Sequence, residues 1–276
     1  MPKDSKDSLL NLDTLRGNLA RAGSRAFASY QQTMDKSLFF MSGSMLANEK
    51  DFNELRSNFR FAPSEKHAMS FERAKFEAQR LALKNSLQEG LAALAILLED
   101  VRVICSMAAH VGEKDDEVKA AVKEITGKPR AAFFKLPLPA RLDQLKEQFE
   151  IPVAQKESIE SFLRLVNCLQ AHGGVVGKAD VDSSGALNIP LMSFGIGADD
   201  DPAPGEREKS AEKKLQLRVL PKVKTIAAGQ PIDFNHAEHI ATILTLCVVT
   251  GALVQGADRF LESSGASKQE SATPAG

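Results

Sequence analysis

Between Pro63 and Pro129 the chain contains no proline, and within residues 64–110 only Gly90 interrupts helical propensity. Read as one helix, that stretch of about 47 residues is ~70 Å long at 1.5 Å per residue. Ser64 after Pro63 is the expected N-cap, and Gly112 is the expected stop. The first half is amphipathic and charged (Glu72, Arg73, Lys75, Glu77, Arg80, Lys84). The second, Gly90 to Leu98, is almost wholly apolar and so needs cover on most sides. A chain built on such a helix folds as a bundle around it.

Further helices are expected over 9–28, 37–60, 115–125, 140–149 and 157–172. Lys135-Leu-Pro-Leu-Pro139 reads as an extended linker, because its two prolines oppose helix. Alternating apolar and polar residues over 186–194 and 215–226 predict two strands, with an acidic, proline-containing loop between them. Asn235 with Glu238 three residues on is a capping-box pattern opening a last helix from His236 to about Glu262. The expected fold is therefore mainly α: a helical bundle with long central helices and an inserted β-hairpin at about residues 186–226. The expected organisation is an N-terminal helical segment over 1–62, the bundle over 63–262, and a disordered tail over 263–276.

Composition narrows the function classes. With 276 residues, 43 % hydrophobic and 26 % charged, the chain is neither collagen-like, nor fully disordered, nor a disulfide scaffold. Its 35 basic and 36 acidic residues argue against a protein that coats DNA. Cys105, Cys168 and Cys247 are odd in number, widely spaced and set among apolar residues, which reads as reduced thiols. The polar start, Met1 to Ser8, is no signal peptide, so a cytoplasmic location is expected. Ile240 to Ala257 carries no charge but holds Thr242, Thr245, Thr250 and Gln255, and reads as a buried core helix; no membrane association is expected.

Several local patterns have a bland reading that outweighs the chemical one. Asp180, Asp182, Ser184 and Gly185 match the opening of a calcium loop, but the twelfth position is Leu191. Asp233, His236, Glu238 and His239 form a dense group of potential ligands, of which Glu238 is already used as a cap. Gly173 to Lys178 is one residue short of a phosphate loop, and Ala179 stands where a hydroxyl is needed. His67 stands alone. The seven basic residues in Arg207–Lys224 lie beside the acidic loop and read as a solvated hairpin. No metal or cofactor is expected. Arg102…His110 and Arg164…His172 share Arg, Ala and His at equal spacing, which fits two helix ends with a terminal histidine. Lys128, Arg130, Lys135 and Arg141, interleaved with Phe133 and Phe134, form a candidate RNA-binding set.

One stretch carries a resemblance. Arg164-Leu-Val-Asn167-Cys168-Leu-Gln-Ala-His172-Gly-Gly-Val-Val176 places Asn, then His, at the end of a helix, with glycine and small aliphatics behind. A Gln-Phe-Glu-Ile-Pro linker precedes that helix, and a hairpin closing with Gly229-Gln-Pro-Ile232 follows it. From Leu142 to about Ile232 the chain resembles the RNA-acting class of HEPN (higher eukaryotes and prokaryotes nucleotide-binding) domains. The resemblance implies a helical bundle that dimerises, with His172 as acid/base, Asn167 orienting the phosphate or the imidazole, and Arg164 holding the phosphate. It also implies a stress or phage-defence setting. The family places Arg directly before the Asn; here that position is Val166, and seven residues separate Arg164 from His172. On a helix the two lie about 80° apart and two turns distant. Losing one preorganised donor costs on the order of 3 kcal/mol of transition-state stabilisation. Three readings remain: a HEPN-like homodimer that binds RNA or a partner protein with little or no catalysis, a metal-independent ribonuclease using Arg164, Asn167 and His172, and a structural helical oligomer.

Overall fold

The spine is α3 (Phe71–Met107), 37 residues long. A computed structural model describes residues 9–58, 69–197 and 216–271 of the chain. The expected cap Ser64, and His67, lie outside those residues. The helix begins instead at Ser70, whose hydroxyl accepts a hydrogen bond from the Arg73 amide at 3.3 Å. Leu83, Leu87, Leu91, Leu94, Leu98 and Val101 recur at helical spacing, and all are buried. Two long helices lie along this row, α1 (Leu12–Leu46) and α8 (His236–Ser271).

The described N-terminal residues, 9–58, join the bundle core through α1. The two helices expected there are α1, continuous across the expected gap, and the short α2 (Glu49–Asn58). Leu15, Leu19, Ala22, Ala26 and Tyr30 put α1 into the same core as α3 and α8. Tyr30 and Thr250 share a buried hydrogen bond of 2.9 Å between α1 and α8. The C-terminal end also departs from expectation, because α8 continues as helix through Ser271 instead of giving way to a tail at 263. By length and composition, α8 is the one described helix that could cross a membrane, and 56 % of its apolar stretch is buried in the bundle.

Close approach of the long helices depends on glycine. A Cβ at Gly90 of α3 would sit 2.5 Å from Cδ1 of Leu246 on α8, and Leu246 is itself fully buried. Gly17 of α1 has open space around it. Gly90→Ala should therefore lower stability by about 1–2 kcal/mol, overpacking outweighing the gain in helix propensity. Gly17→Ala should raise it by up to ~1 kcal/mol. Urea midpoints of the two variants check this, and a stabilising Gly90→Ala would contradict it.

A one-turn 3-10 segment (Ala108–His110) and three shorter helices follow α3: α4 (Asp115–Ile125), α5 (Lys128–Lys135) and α6 (Leu138–Phe149). The extended linker expected at 135–139 is thus only a two-residue corner. Pro137 is the N-cap of α6 and Pro139 sits in its first turn, where a missing N–H costs nothing. After α7 (Lys156–Ala171) comes the antiparallel hairpin of β1 (Ala186–Gly197) and β2 (Gln216–Ala227). Its register pairs Ala186 with Ala227 and Pro190 with Val223. A two-stranded sheet has an open edge on each strand, which accommodates Pro190 and Pro221. Leu187, Ile189 and Leu191 face inward against α7 and α8, and the Thr245 hydroxyl accepts from the Met192 amide at 2.8 Å.

Candidate functional site

The C-terminal end of α7 is where the sequence motif and the tertiary fold converge. Ile159, Phe162, Leu165 and Cys168 bury one face of the helix. His172 follows as the C-cap residue. Gly173 (φ 58°) and Gly174 (φ 69°) then reverse the chain in the left-handed region. The amides of His172 and Gly174 both reach the Cys168 carbonyl, at 3.1 and 3.0 Å. The loop is pinned to the turn after β2: the Ile232 amide donates to Gly174 O and the Gly229 amide to Val176 O, each at 2.8 Å.

This turn delivers Asp180 to His172. The imidazole Nδ1 lies 2.8 Å from Asp180 Oδ2, which also accepts the Gly177 amide at 2.8 Å. Asp180 is 2 % exposed and the His172 side chain 37 %. Burial pushes the Asp180 carboxyl up, but the Gly177 amide and the His172 ring outweigh it and leave its pKa below the ordinary carboxylate value. An ionised carboxylate only accepts, so Nδ1 carries the proton facing it. The opposite nitrogen, Nε2, is then the acid/base edge. A buried carboxylate fixing the tautomer of a half-exposed imidazole is the arrangement general acid/base chemistry needs.

Cys168 completes the group, its sulfur within 4.8 Å of the ligating atoms of His172 and Asp180. Those three could in principle hold a cation. Their hydrogens are otherwise engaged: the thiol donates to the Val175 carbonyl at 3.2 Å, and burial with the nearby Asp180 charge pushes its pKa to about 11. The donor set fits a hydrogen-bonded network better than a metal centre.

The guanidinium at this end of the helix is that of Arg80, from α3. It donates to the Gly173 carbonyl, pairs with Glu77 Oε1 at 3.0 Å, and lies over the Phe76 ring at 5.3 Å. A Cβ at Gly174 would fall on this guanidinium, so the position needs glycine for space as well as for its φ. Arg80 is buried and clamps the turn. Arg164, the motif's arginine, is half-buried, and its charge helps lower the Asp182 carboxyl to about 2, after the hydrogen bonds from Ser184 and Asn188. Asn167 is exposed, about 140° around the helix from His172. Among the described residues no hydrogen bond or ion pair joins Arg164, Asn167 and His172 to one another. The fold pairs His172 with Asp180, whose role the local sequence does not signal.

The other sequence candidates resolve as structure. Asp180 belongs to the dyad, while Asp182 caps its own turn by accepting the Ser184 amide at 2.8 Å, as expected of a turn before a strand. Asn235 and Glu238 form the capping box, with reciprocal bonds of 2.9 and 3.0 Å, and Lys224 reaches Glu238 at 2.6 Å. His239 is buried against Ser86, its Nε2 2.7 Å from the hydroxyl. His110 pairs through Nδ1 with Glu113 at 2.9 Å, as His172 does with Asp180, while Arg102 is buried against Glu99 and Arg164 is half-buried, so the echo extends to the histidines and not to the arginines. Much of the basic stretch 207–224 lies outside the described residues. Of the RNA-binding set, Lys128 and Lys135 are exposed, and Arg130 lies over Phe134 and 3.4 Å from Glu99. Arg141 is removed from the surface: it is buried and donates to the Phe134 and Leu136 carbonyls at 2.7 and 2.9 Å, closing α5.

No family model matches the chain, and neither a curated protein nor a solved structure matches it.

Proposed function

We propose that the chain is a HEPN-like helical homodimer that binds RNA at the His172 end of α7 and serves as a cytoplasmic binding or regulatory module, with little or no cleavage. One observation carries this reading. The partly exposed imidazole is oriented by a buried carboxylate, while the nearby Arg80 is committed to the turn. A phosphate can meet the imidazole there, but Arg80, the guanidinium at this turn, is spent on the Gly173 carbonyl and Glu77 and not on the charge that builds up during cleavage. The dimer finds support in an apolar groove of about 270 Å³ between α1, α8 and the hairpin, whose described lining includes Phe27, Met34, Phe194 and Leu244 and no charged side chain. Phe194, 56 % exposed, extends this apolar lining to a face that a second copy can cover. The stress or phage-defence setting rests on the family resemblance alone.

The His172–Asp180 pair favours one alternative, a metal-independent ribonuclease with His172 as acid/base. Both readings are tested on the full chain with labelled single-stranded RNA in EDTA, next to His172→Ala. The binding module holds the RNA uncut, with an affinity that falls several-fold in the variant and steeply with salt. Absence of binding at low salt contradicts it, as does a clean monomer by light scattering.

A further inference from the structure

A cleft of about 670 Å³ lies between α1, the C-terminal half of α3 and the α4–α5 junction. It is separate from the His172 site: Arg80 and Asp100 lie 20 positions apart on α3, or ~30 Å along the helix. Three arginines line it: Arg21 and Arg25 from α1, and Arg130 from α5. Beneath them, Arg102 is bound to Glu99 through two hydrogen bonds of 2.9 and 3.0 Å. Arg25 meets Asp100 at 3.0 Å. Three guanidiniums and two carboxylates thus line the concave site, and the buried Arg102 draws further on Glu99, so positive charge is in excess.

The excess is available. Arg21 is held by neutral acceptors, the Asn18 side-chain oxygen and the Gly17 carbonyl at 3.3 Å. Arg130 shares Glu99 with Arg102, so that single carboxylate answers two cations. The first turn of α5 beside the cleft has neither an acidic residue nor a side-chain cap, which leaves its positive end uncompensated. Between these groups Val103 and Ile104 supply an apolar floor, and Asn18, Ser24 and Thr126 supply hydrogen-bonding groups. Arg130 already lies over the Phe134 ring, at 5.5 Å.

We propose that this cleft binds a phosphate ester of nucleotide size, the phosphate held by Arg21 and Arg130 and the apolar body lying on Val103 and Ile104. A phosphate suits the surplus positive charge, and forked guanidiniums suit its oxygens. The volume lies within the range of small-molecule sites. Neither the acid/base dyad nor the RNA reading is needed for this proposal.

Calorimetric titration of the full chain with ADP, inorganic phosphate and adenosine tests it. ADP binds with a Kd below about 1 mM, and more tightly than either fragment. Arg21→Ala and Arg130→Ala each weaken ADP about tenfold or more, the scale of one charge-assisted hydrogen bond. Asp100→Asn, which removes a competing carboxylate, tightens it. Circular dichroism confirms that each variant is folded. Three results overturn the proposal: no heat with ADP, phosphate binding as tightly as ADP, or ADP binding indifferent to both arginine variants.

Discussion

Glu99→Ala destabilises the protein by about 3–5 kcal/mol, the scale of breaking a buried ion pair from one side. Glu99 and Arg102 are each 4 % exposed and lie one turn apart on α3. The carboxylate takes both the Nε and Nη2 hydrogens of Arg102, at 2.9 and 3.0 Å. Arg102 also donates to the Ile125 carbonyl at 3.1 Å and stacks on Phe133 at 5.4 Å, so the pair ties the end of α4 and the start of α5 to the spine. Without Glu99 the guanidinium stays buried with one neutral acceptor and a ring face, a poor exchange for water. Replacing both residues, Glu99→Leu with Arg102→Leu, recovers most of the loss, because the desolvation cost leaves with the charge. Guanidinium denaturation of the single and double variants measures this. A loss under ~1 kcal/mol for Glu99→Ala, or a double variant less stable than the single, would contradict it.

Acid destabilises the fold before the carboxylates titrate. His239 is 2 % exposed, and burial, with the neighbouring His236 charge, lowers its pKa from 6.5 to about 4. The unfolded chain takes up this proton near pH 6.5 and the folded chain refuses it until near pH 4. Stability therefore falls as pH drops through that window, by about 3 kcal/mol when complete. Asp180 and Glu238 have folded pKa values below their ordinary ones, so their contributions are lost lower, beneath about pH 4.5. The interval from 6.5 to 4.5 thus reports the histidine. His239→Gln keeps a hydrogen-bonding partner for Ser86 and removes the titration, and its stability changes much less across that interval. An equal slope in variant and wild type would refute the assignment.

What the sequence disclosed follows the range of the interactions involved. The 115–125 helix, the capping box at Asn235 and Glu238, and the strand pattern at 186 and 226 are all set by neighbours a few residues away, and all are found in the structure. The corner at 135–139 was misread because two prolines argue for extended chain unless they fall at a helix start, where Pro137 and Pro139 do. The continuity of α1 through residues 29–36 was not legible either. Its polar residues there are tolerated because Tyr30 and Thr33 face α8 and α3.

The site divides in the same way. His172 at a helix end before two glycines is a local pattern. Asp180 stands only eight residues on, yet its partnership depends on a loop held by the turn after β2. Arg80 lies 93 positions from Gly173, and nothing in its surroundings signals that it meets α7. The family resemblance offered Arg164 as a displaced cation of the site, and the tertiary fold brings another arginine, Arg80, to hold the turn.

Cleavage of labelled RNA in EDTA by the wild-type chain, with His172→Ala and Asp180→Asn alongside, decides between binding and catalysis at this site. The RNA is expected to be bound by the wild type, bound more weakly by both variants, and left intact by all three. Cleavage by the wild type that disappears in both variants would contradict this expectation and make the His172–Asp180 pair the catalytic centre of a ribonuclease.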